Sequence, residues 1–130
     1  MKRVTSIVIL ALLAAMISMA PGAAAAPVFK IGGLASLQSG YGQSMVSGAA
    51  LAIEEINAAG GVNGIKFEID WQDTEANASI GRTAAQKLIY GSKVDAILGC
   101  HASTVVLAIE SLVKSANVLE VAMGSATAVT

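Results

Sequence analysis

The sequence predicts an α/β fold in which a parallel sheet carries helices on both faces. Beyond an apolar N-terminal segment, the 130-residue chain alternates four short apolar runs with three stretches of helical periodicity. Such alternation builds a parallel sheet covered by helices, and the length leaves room for one domain at most. The single cysteine, Cys100, cannot form an internal disulfide, so the fold must rest on its apolar core.

Residues 1–25 are typical of a secretory signal peptide. Lys2 and Arg3 precede an uncharged run, and small residues follow at 23–26. The strongly apolar part, residues 7–19, has 13 residues, whereas a membrane-spanning helix needs about 20. Cleavage after Ala25 makes residues 26–130 the mature domain, with no cysteine near its start to carry a lipid anchor. We therefore expect an exported, soluble, periplasmic chain.

The first strand and the first helix follow the predicted cleavage site. Residues 28–35 form a short apolar run that predicts a strand. Residues 43–59 predict an amphipathic helix, because apolar side chains recur at spacings of four, three and four at Met45, Ala49, Ala52 and Ile56. Gly60 and Gly61 should end this helix, since glycine accepts the left-handed conformation beyond a helix terminus.

Five further elements complete the alternation. Residues 65–72 alternate strictly between apolar and polar side chains, which predicts a strand with one solvated face at an edge of the sheet. Residues 77–90 predict a second helix and residues 94–99 a compact strand. Residues 103–116 predict a third helix, with Val106, Ile109 and Val113 on its buried side. Residues 118–123 predict the fourth strand. The chain ends at Thr130, soon after this strand, and we expect it to be a truncated lobe.

Composition and motifs exclude several function classes. The net charge is −1 with no basic run, which argues against a nucleic-acid binder. Loss of Lys2 and Arg3 with the signal segment leaves six basic and nine acidic residues, a net charge of −3. Neither a dinucleotide-binding nor a phosphate-binding glycine motif is present. Cys100 and His101 are neighbours, but the sequence has no second histidine or cysteine to complete a catalytic pair or a zinc site. We expect no cofactor and no metal.

The loops at the carboxyl ends of the strands are the place to look for function, because ligands of parallel α/β sheets bind there. The loops after strands one, three and four, at residues 36–42, 100–103 and 124–128, are rich in Ser, Thr and Gly. Hydroxyls and backbone amides suit hydrogen-bonded recognition better than acid–base catalysis, and a hydrolase is correspondingly disfavoured. The pattern predicts a binding protein and not an enzyme.

Three side chains in these loops are candidates for ligand contact. Ser103 and Thr104 open the third helix, where unpaired backbone N–H groups favour an anion such as a carboxylate. The alternative is that Ser103 is only a helix N-cap, and the two roles can coexist. Tyr41 could cover an apolar ligand group, or it could be an ordinary half-exposed loop aromatic.

Several segments together resemble the branched-chain amino-acid binding proteins, which are type I periplasmic binding proteins of ABC importers. The segments are residues 39–43 (SGYGQ), 48–64 (GAALAIEEINAAGGVNG), 84–88 (AAQKL), 94–99 (VDAILG) and 125–127 (SAT). The resemblance spans nearly all of the mature chain, and INAAGGVNG is specific to this superfamily.

The resemblance implies two α/β lobes joined by a hinge, which clamp an amino acid or a similar small polar ligand and deliver it to a membrane permease. It also implies a monomer, of which this chain supplies about two thirds of one lobe. Position by position, it assigns the ligand's carboxylate to Ser103 with Thr104 beside it, and makes Tyr41 a pocket aromatic. The loop after strand four, with Ser125, Ala126 and Thr127, would hold the ligand's carboxylate and amino ends. His101 departs from the family pattern, because an apolar residue is commoner there.

Two functions follow from this resemblance. The first is transport, in which the chain belongs to the substrate-binding component of an importer for an amino acid, an amide or a urea-like ligand. The second is sensing, in which a module of the same fold signals when it closes on its ligand.

Overall fold

The computed structural model describes residues 27–125, in which four strands alternate with three α-helices. The predicted signal peptide, residues 1–25, lies outside the described residues. The elements are β1 Val28–Ala35, α1 Gly40–Ala58, β2 Lys66–Asp73, α2 Ala78–Gln86, β3 Ala96–Leu98, α3 Ser103–Ala116 and β4 Leu119–Val121.

The four strands form one parallel sheet in the order β2-β1-β3-β4. β2 pairs with β1 along its full length, from Val28 opposite Lys66 to Ala35 opposite Asp73. β2 lies at an edge of the sheet, as the alternating pattern predicted. Because crossovers between parallel strands are right-handed as a rule, this strand order puts α1 on one face and α2 and α3, which contact each other, on the other face. The predicted fold class is therefore confirmed.

The apolar core lies between the sheet and the pair α2 and α3. Leu34 and Ile97 contribute from the strands, Leu88 from the segment after α2, and Val105 and Ile109 from α3; all five are fully buried. Gly81 allows close contact between the two helices, because a Cβ atom added there would lie 2.5 Å from Cγ1 of Val105. The buried stripe predicted for α3 is confirmed, since Val106, Ile109 and Val113 are all buried.

Helix α1 is less buried than its periodicity suggests. Ser39 caps it, accepting a hydrogen bond from the Gly42 amide at 3.0 Å. At the other end Gly60 and Gly61 have φ angles of 104° and 80°, the left-handed conformation expected there. Only Gly42 is buried, while Ala52 and Ile56 on the predicted apolar stripe are exposed. No other described helix lies over this face of the sheet.

A side chain near the end of α1 joins the helix to the edge strand. The amide of Asn57 donates to the carbonyl of Phe67, and its oxygen accepts from the amide of Phe67, both at 2.8 Å. This pair of hydrogen bonds satisfies backbone groups of β2 that face away from β1.

The remaining differences concern element ends. α2 ends at Gln86, and a π-helical turn, Lys87–Ser92, replaces the last part of the predicted helix. This wider turn buries the adjacent side chains of Leu88 and Ile89. β3 and β4 are shorter than predicted, with three residues each. Within residues 27–125, no helix is both long enough and apolar enough to cross a membrane.

Candidate functional site

The carboxyl edge of the sheet gathers the loops that follow β1, β3 and β4, as the sequence predicted, together with the loop after β2. The β2 loop was not predicted to take part. Its contribution begins with Thr74, which is fully buried and donates its backbone amide to the carbonyl of Ala35 at 2.9 Å.

Ser103 and Ser125 meet at this edge. Ser103 is the first residue of α3, and its Oγ accepts a hydrogen bond from the backbone amide of Ser125 at 3.1 Å. The N-cap is Ala102, which makes no side-chain capping bond, so the alternative that Ser103 is the N-cap is wrong by one residue. Thr104 follows in the first helical turn and is exposed. The other two residues assigned to this loop, Ala126 and Thr127, lie outside the described residues.

Tyr41 stacks on His101. The ring centroids are 5.7 Å apart and the ring planes differ by 20°. Tyr41 lies in the first turn of α1 and is 79% exposed, whereas His101 is partly buried. The two rings form a planar surface that connects the loop after β1 with the loop after β3.

A chain of buried polar groups lies beneath these loops. The hydroxyls of Ser36 and Thr74 are 3.5 Å apart, and Thr74 Oγ1 lies 3.7 Å from the Sγ atom of Cys100. Cys100 is fully buried, and its sulfur also accepts from the backbone amide of Ala102 at 3.5 Å. The cysteine therefore serves as an internal hydrogen-bond partner that links three strand ends.

Asp73 ties the loops after β1 and β2 together. Its Oδ1 accepts from the backbone amide of Leu37 at 3.1 Å and from that of Glu75 at 2.9 Å. Between these loops lies a cavity of about 660 Å³. The residues that line it are Ser36, Gln38, Ser39, Asp73, Glu75, Ala76 and His101.

The sequence offered a weak signal for this cavity. Asp73, Thr74 and Glu75 follow a strand directly, which places polar groups at the carboxyl edge. We expected the strand at the edge of the sheet and gave its loop no role. The fully paired register of β1 and β2 nevertheless brings the two loops side by side.

The chemistry of the site is that of hydrogen bonding. Within residues 27–125, no group of three or more His, Cys, Asp or Glu side chains is placed to hold a metal ion. Cys100 is buried among structural partners, and Nδ1 of His101 is buried with no hydrogen-bond partner in the described part of the chain. The cysteine and histidine that adjoin in sequence therefore do not form a nucleophile and its base.

One carboxylate, that of Glu120, lies in β4 just before the loop that follows this strand. Glu120 of β4 is partly buried, and its Oε1 has no hydrogen-bond partner among the described residues. Burial raises the pKa of the Glu120 carboxyl above its ordinary value of 4.5, and the nearby charge of Glu110 on α3 raises it further.

Comparisons with known proteins agree with this architecture. A family model described as periplasmic binding protein matches residues 28–130. No curated protein sequence gives a significant match.

Several solved structures are similar to this chain in both sequence and fold. The substrate-binding protein LivJ of a branched-chain amino acid transporter from Streptococcus pneumoniae, in complex with isoleucine, is 29% identical, with a TM-score of 0.70 over 75% of this chain and 29% of that one. The leucine-binding protein LivK from Thermotoga maritima is 28% identical, with a TM-score of 0.68 over 76% of this chain and 28% of that one.

A third match has a different ligand. A solute-binding protein of an ABC transporter from Rhodopseudomonas palustris, in complex with 3,4-dihydroxybenzoic acid, is 26% identical, with a TM-score of 0.66 over 78% of this chain and 28% of that one. The present chain thus spans less than a third of the length of these relatives. LivJ and the Rhodopseudomonas palustris protein are thus substrate-binding or solute-binding proteins of transporters, and LivK is a leucine-binding protein. With its parallel sheet, hydroxyl-rich loops and family match over residues 28–130, the chain belongs to the periplasmic binding protein family.

Proposed function

We propose that this chain is the N-terminal part of the first lobe of a substrate-binding component of an ABC importer. The bound ligand is an amino acid, branched-chain-like, or a related small polar molecule, and a membrane permease receives it. The matched relatives that bind isoleucine and leucine support this proposal.

The proposal includes export to the periplasm. Residues 1–25 act as a signal peptide that is removed after Ala25, leaving residues 26–130 as the lobe segment. The basic start, the short apolar run and the small residues near the cleavage site support this division. N-terminal sequencing of the exported protein should begin within a couple of residues of Ala26; an intact Met1 in the membrane fraction would contradict it.

The observation that carries the proposal is the position of Ser103. Its hydroxyl lies in the first turn of α3, and the Ser125 amide that bonds it lies in the loop after β4. In this proposal the Ser103 hydroxyl, which the Ser125 amide holds between α3 and the loop after β4, binds an oxygen of the ligand carboxylate. The positive end of the α3 dipole lies at this point and favours a carboxylate there. In this proposal Thr104, Tyr41, Ala126 and Thr127 complete the wall of the site.

The test is the Ser103→Ala variant in a protein that carries both lobes. Loss of a hydrogen bond to a charged group costs about 1.5–3 kcal/mol, which weakens ligand binding by roughly 10- to 150-fold. Calorimetry with L-leucine and L-isoleucine measures the affinity, and the melting temperature reports the loss of the contact with Ser125.

Ser115→Ala is the matched control. Ser115 lies in the last turn of the same helix, and its hydroxyl donates to the carbonyl of Leu112 at 2.9 Å. This variant removes the same group from the opposite end of α3 and should leave affinity unchanged. A Ser103→Ala protein that melts lower but binds as tightly as the parent would show that Ser103 only joins α3 to the β4 loop.

A further inference from the structure

The cavity between the loops after β1 and β2 carries negative charge and no positive charge. Asp73 and Glu75 line it together with uncharged polar side chains and His101, and no lysine or arginine is among the lining residues. Two carboxylates in one cavity repel an anionic group and favour hydrogen-bond donors. Asp73 already accepts two backbone amides at Oδ1, but an ionised carboxylate has about four acceptor sites, so capacity remains for a ligand.

His101 requires a hydrogen-bond acceptor from the ligand, whereas the two carboxylates require donors. Its Nδ1 is buried without a hydrogen-bond partner in the described part of the chain, so Nε2 is the ring nitrogen that cavity contents can reach. A buried N–H group without an acceptor is rarer in proteins than an under-satisfied acceptor. The proton of a neutral His101 therefore belongs on Nε2, where it is a donor to an acceptor atom in the cavity.

The stack with Tyr41 restricts the imidazole ring. Ring planes 20° apart with centroids at 5.7 Å lie within the range of a favourable offset aromatic contact. A fixed ring gives the Nε2–H group a defined direction, which is what a specificity contact requires. An aliphatic ligand side chain could not accept from this donor or donate to the remaining acceptor sites of the two carboxylates.

We infer that this cavity receives a carboxamide or similarly neutral amide group of the ligand, with His101 as a specificity-determining residue. The amide NH2 donates to the carboxylates of Asp73 and Glu75, and the amide oxygen accepts from Nε2 of His101. A carboxylate would meet two like charges, and an ammonium group has no acceptor atom for the His101 N–H, so only a neutral group that both donates and accepts can bond to all three side chains. The inference rests on the proposed function, because the same ligand is held by Ser103.

The experiment compares three amino acids by calorimetry in the protein that carries both lobes, with acetamide and urea as amide probes that have no amino-acid backbone. L-glutamine and L-glutamate have nearly the same shape and differ in the terminal NH2 group and its charge, while L-leucine tests an aliphatic side chain. We expect glutamine to bind at least about tenfold more tightly than either of the others. His101→Leu should weaken glutamine binding by about tenfold or more and leave leucine binding unchanged or stronger.

Two variants that each remove one carboxylate test whether the preference for glutamine over glutamate arises in this cavity. Glu75→Gln removes a carboxylate from the cavity and should narrow the preference for glutamine over glutamate. Glu68→Gln makes the same change near the opposite end of β2, outside the cavity, and should leave the preference unchanged.

The outcomes separate this inference from the proposed function. Leucine binding that equals or exceeds glutamine binding and does not depend on His101 keeps the transport proposal and overturns the inference. Binding of acetamide or urea that is lost in His101→Leu, with no binding of any amino acid, keeps the inference and overturns the amino-acid assignment. If none of these probes binds, both are overturned.

Discussion

At the scale of single residues, Glu120 shows that burying a carboxylate costs free energy when it is ionised. Its carboxylate lies on β4 with one oxygen buried and without a hydrogen-bond partner in the described residues, and Glu110 on α3 adds a like charge. Both effects disfavour the ionised form in the folded protein, so the pKa of Glu120 is raised. The folded state therefore holds this proton to a higher pH than the unfolded chain does.

This raised pKa gives the stability of the folded protein one pH-dependent contribution. The favourable contribution of the proton is fully present below the ordinary value of 4.5 and is lost as the pH rises through the folded-state pKa. Glu120→Gln cannot ionise, so we expect it to raise the melting temperature at pH 7 and to lose that advantage below about pH 4.5. Melting curves across this range check the prediction, with Glu110→Gln, which removes only the like charge, as the control expected to show a smaller gain. A gain that is the same at every pH would contradict the assignment to ionisation.

The candidate site was predictable in part at this scale. Ser103 and Ser125 were both expected at the carboxyl edge of the sheet, and the hydrogen bond between them shows that they are in contact there. The sequence could not tell Ser103 from its neighbour Ala102 as the N-cap, because capping depends on the backbone angles of one residue. The stack of Tyr41 on His101 and the buried contacts of Thr74 arise from tertiary proximity, which no local pattern encodes.

At the scale of elements, two helical glycines have opposite surroundings. Gly81 in α2 faces Val105 of α3 so closely that an added Cβ would lie 2.5 Å from a methyl carbon of a fully buried side chain. Gly48 in α1 has nothing within 4 Å of such a Cβ. The same substitution at the two positions therefore separates helix propensity from packing.

Gly48→Ala should stabilise the protein by about 0.5–1 kcal/mol, because alanine loses less backbone entropy in a helix. Gly81→Ala gains the same propensity, but overpacking typically costs about 1–3 kcal/mol, so we expect net destabilisation. Urea unfolding of both variants in the two-lobe protein measures the difference. Stabilisation by both changes would mean that Val105 moves aside without cost.

The fold was predictable at this scale because apolar residues recur in each segment with the spacing of a strand or of a helix. The strictly alternating segment marked β2 and its edge position, and the apolar stripe marked α3 with its observed bounds. The C-terminal end of α2 was not predictable, because the π-helical turn after Gln86 accompanies burial of the adjacent Leu88 and Ile89 in the core. The exposure of α1 likewise depends on which elements cover that face of the sheet, and its own sequence does not contain that information.

At the scale of the whole molecule, apolar surface is concentrated around β4. This strand pairs only with β3 in the described sheet, and Leu119, Val121 and Met123 are 65%, 52% and 50% exposed. An edge with free backbone groups and apolar side chains is a template for association with other chains. The aligned region covers less than a third of the matched relatives, and in the function proposed above the carboxyl edge supplies one wall of the site.

Residues 26–130 produced alone should therefore show no measurable amino-acid affinity and should aggregate. Calorimetry with leucine and glutamine tests the first expectation, and size-exclusion chromatography tests the second. Replacing the exposed Val121 by lysine should reduce aggregation, because a charge on an edge strand opposes pairing with another chain. Micromolar binding by a monomeric fragment would show that one lobe is enough.

The buried side-chain contacts among Ser36, Thr74 and Cys100 affect how the ligand specificity of such a lobe can change. These groups connect the ends of β1, β2 and β3 through contacts of 3.5 and 3.7 Å, and Asp73 joins the loops after β1 and β2. Loops held from below have few alternative conformations to lose when a ligand arrives, so little ordering entropy opposes binding. The same preorganisation prevents the loops from adapting to a new shape, and a new ligand has to be accommodated by exchanging side chains such as His101 on an unaltered frame.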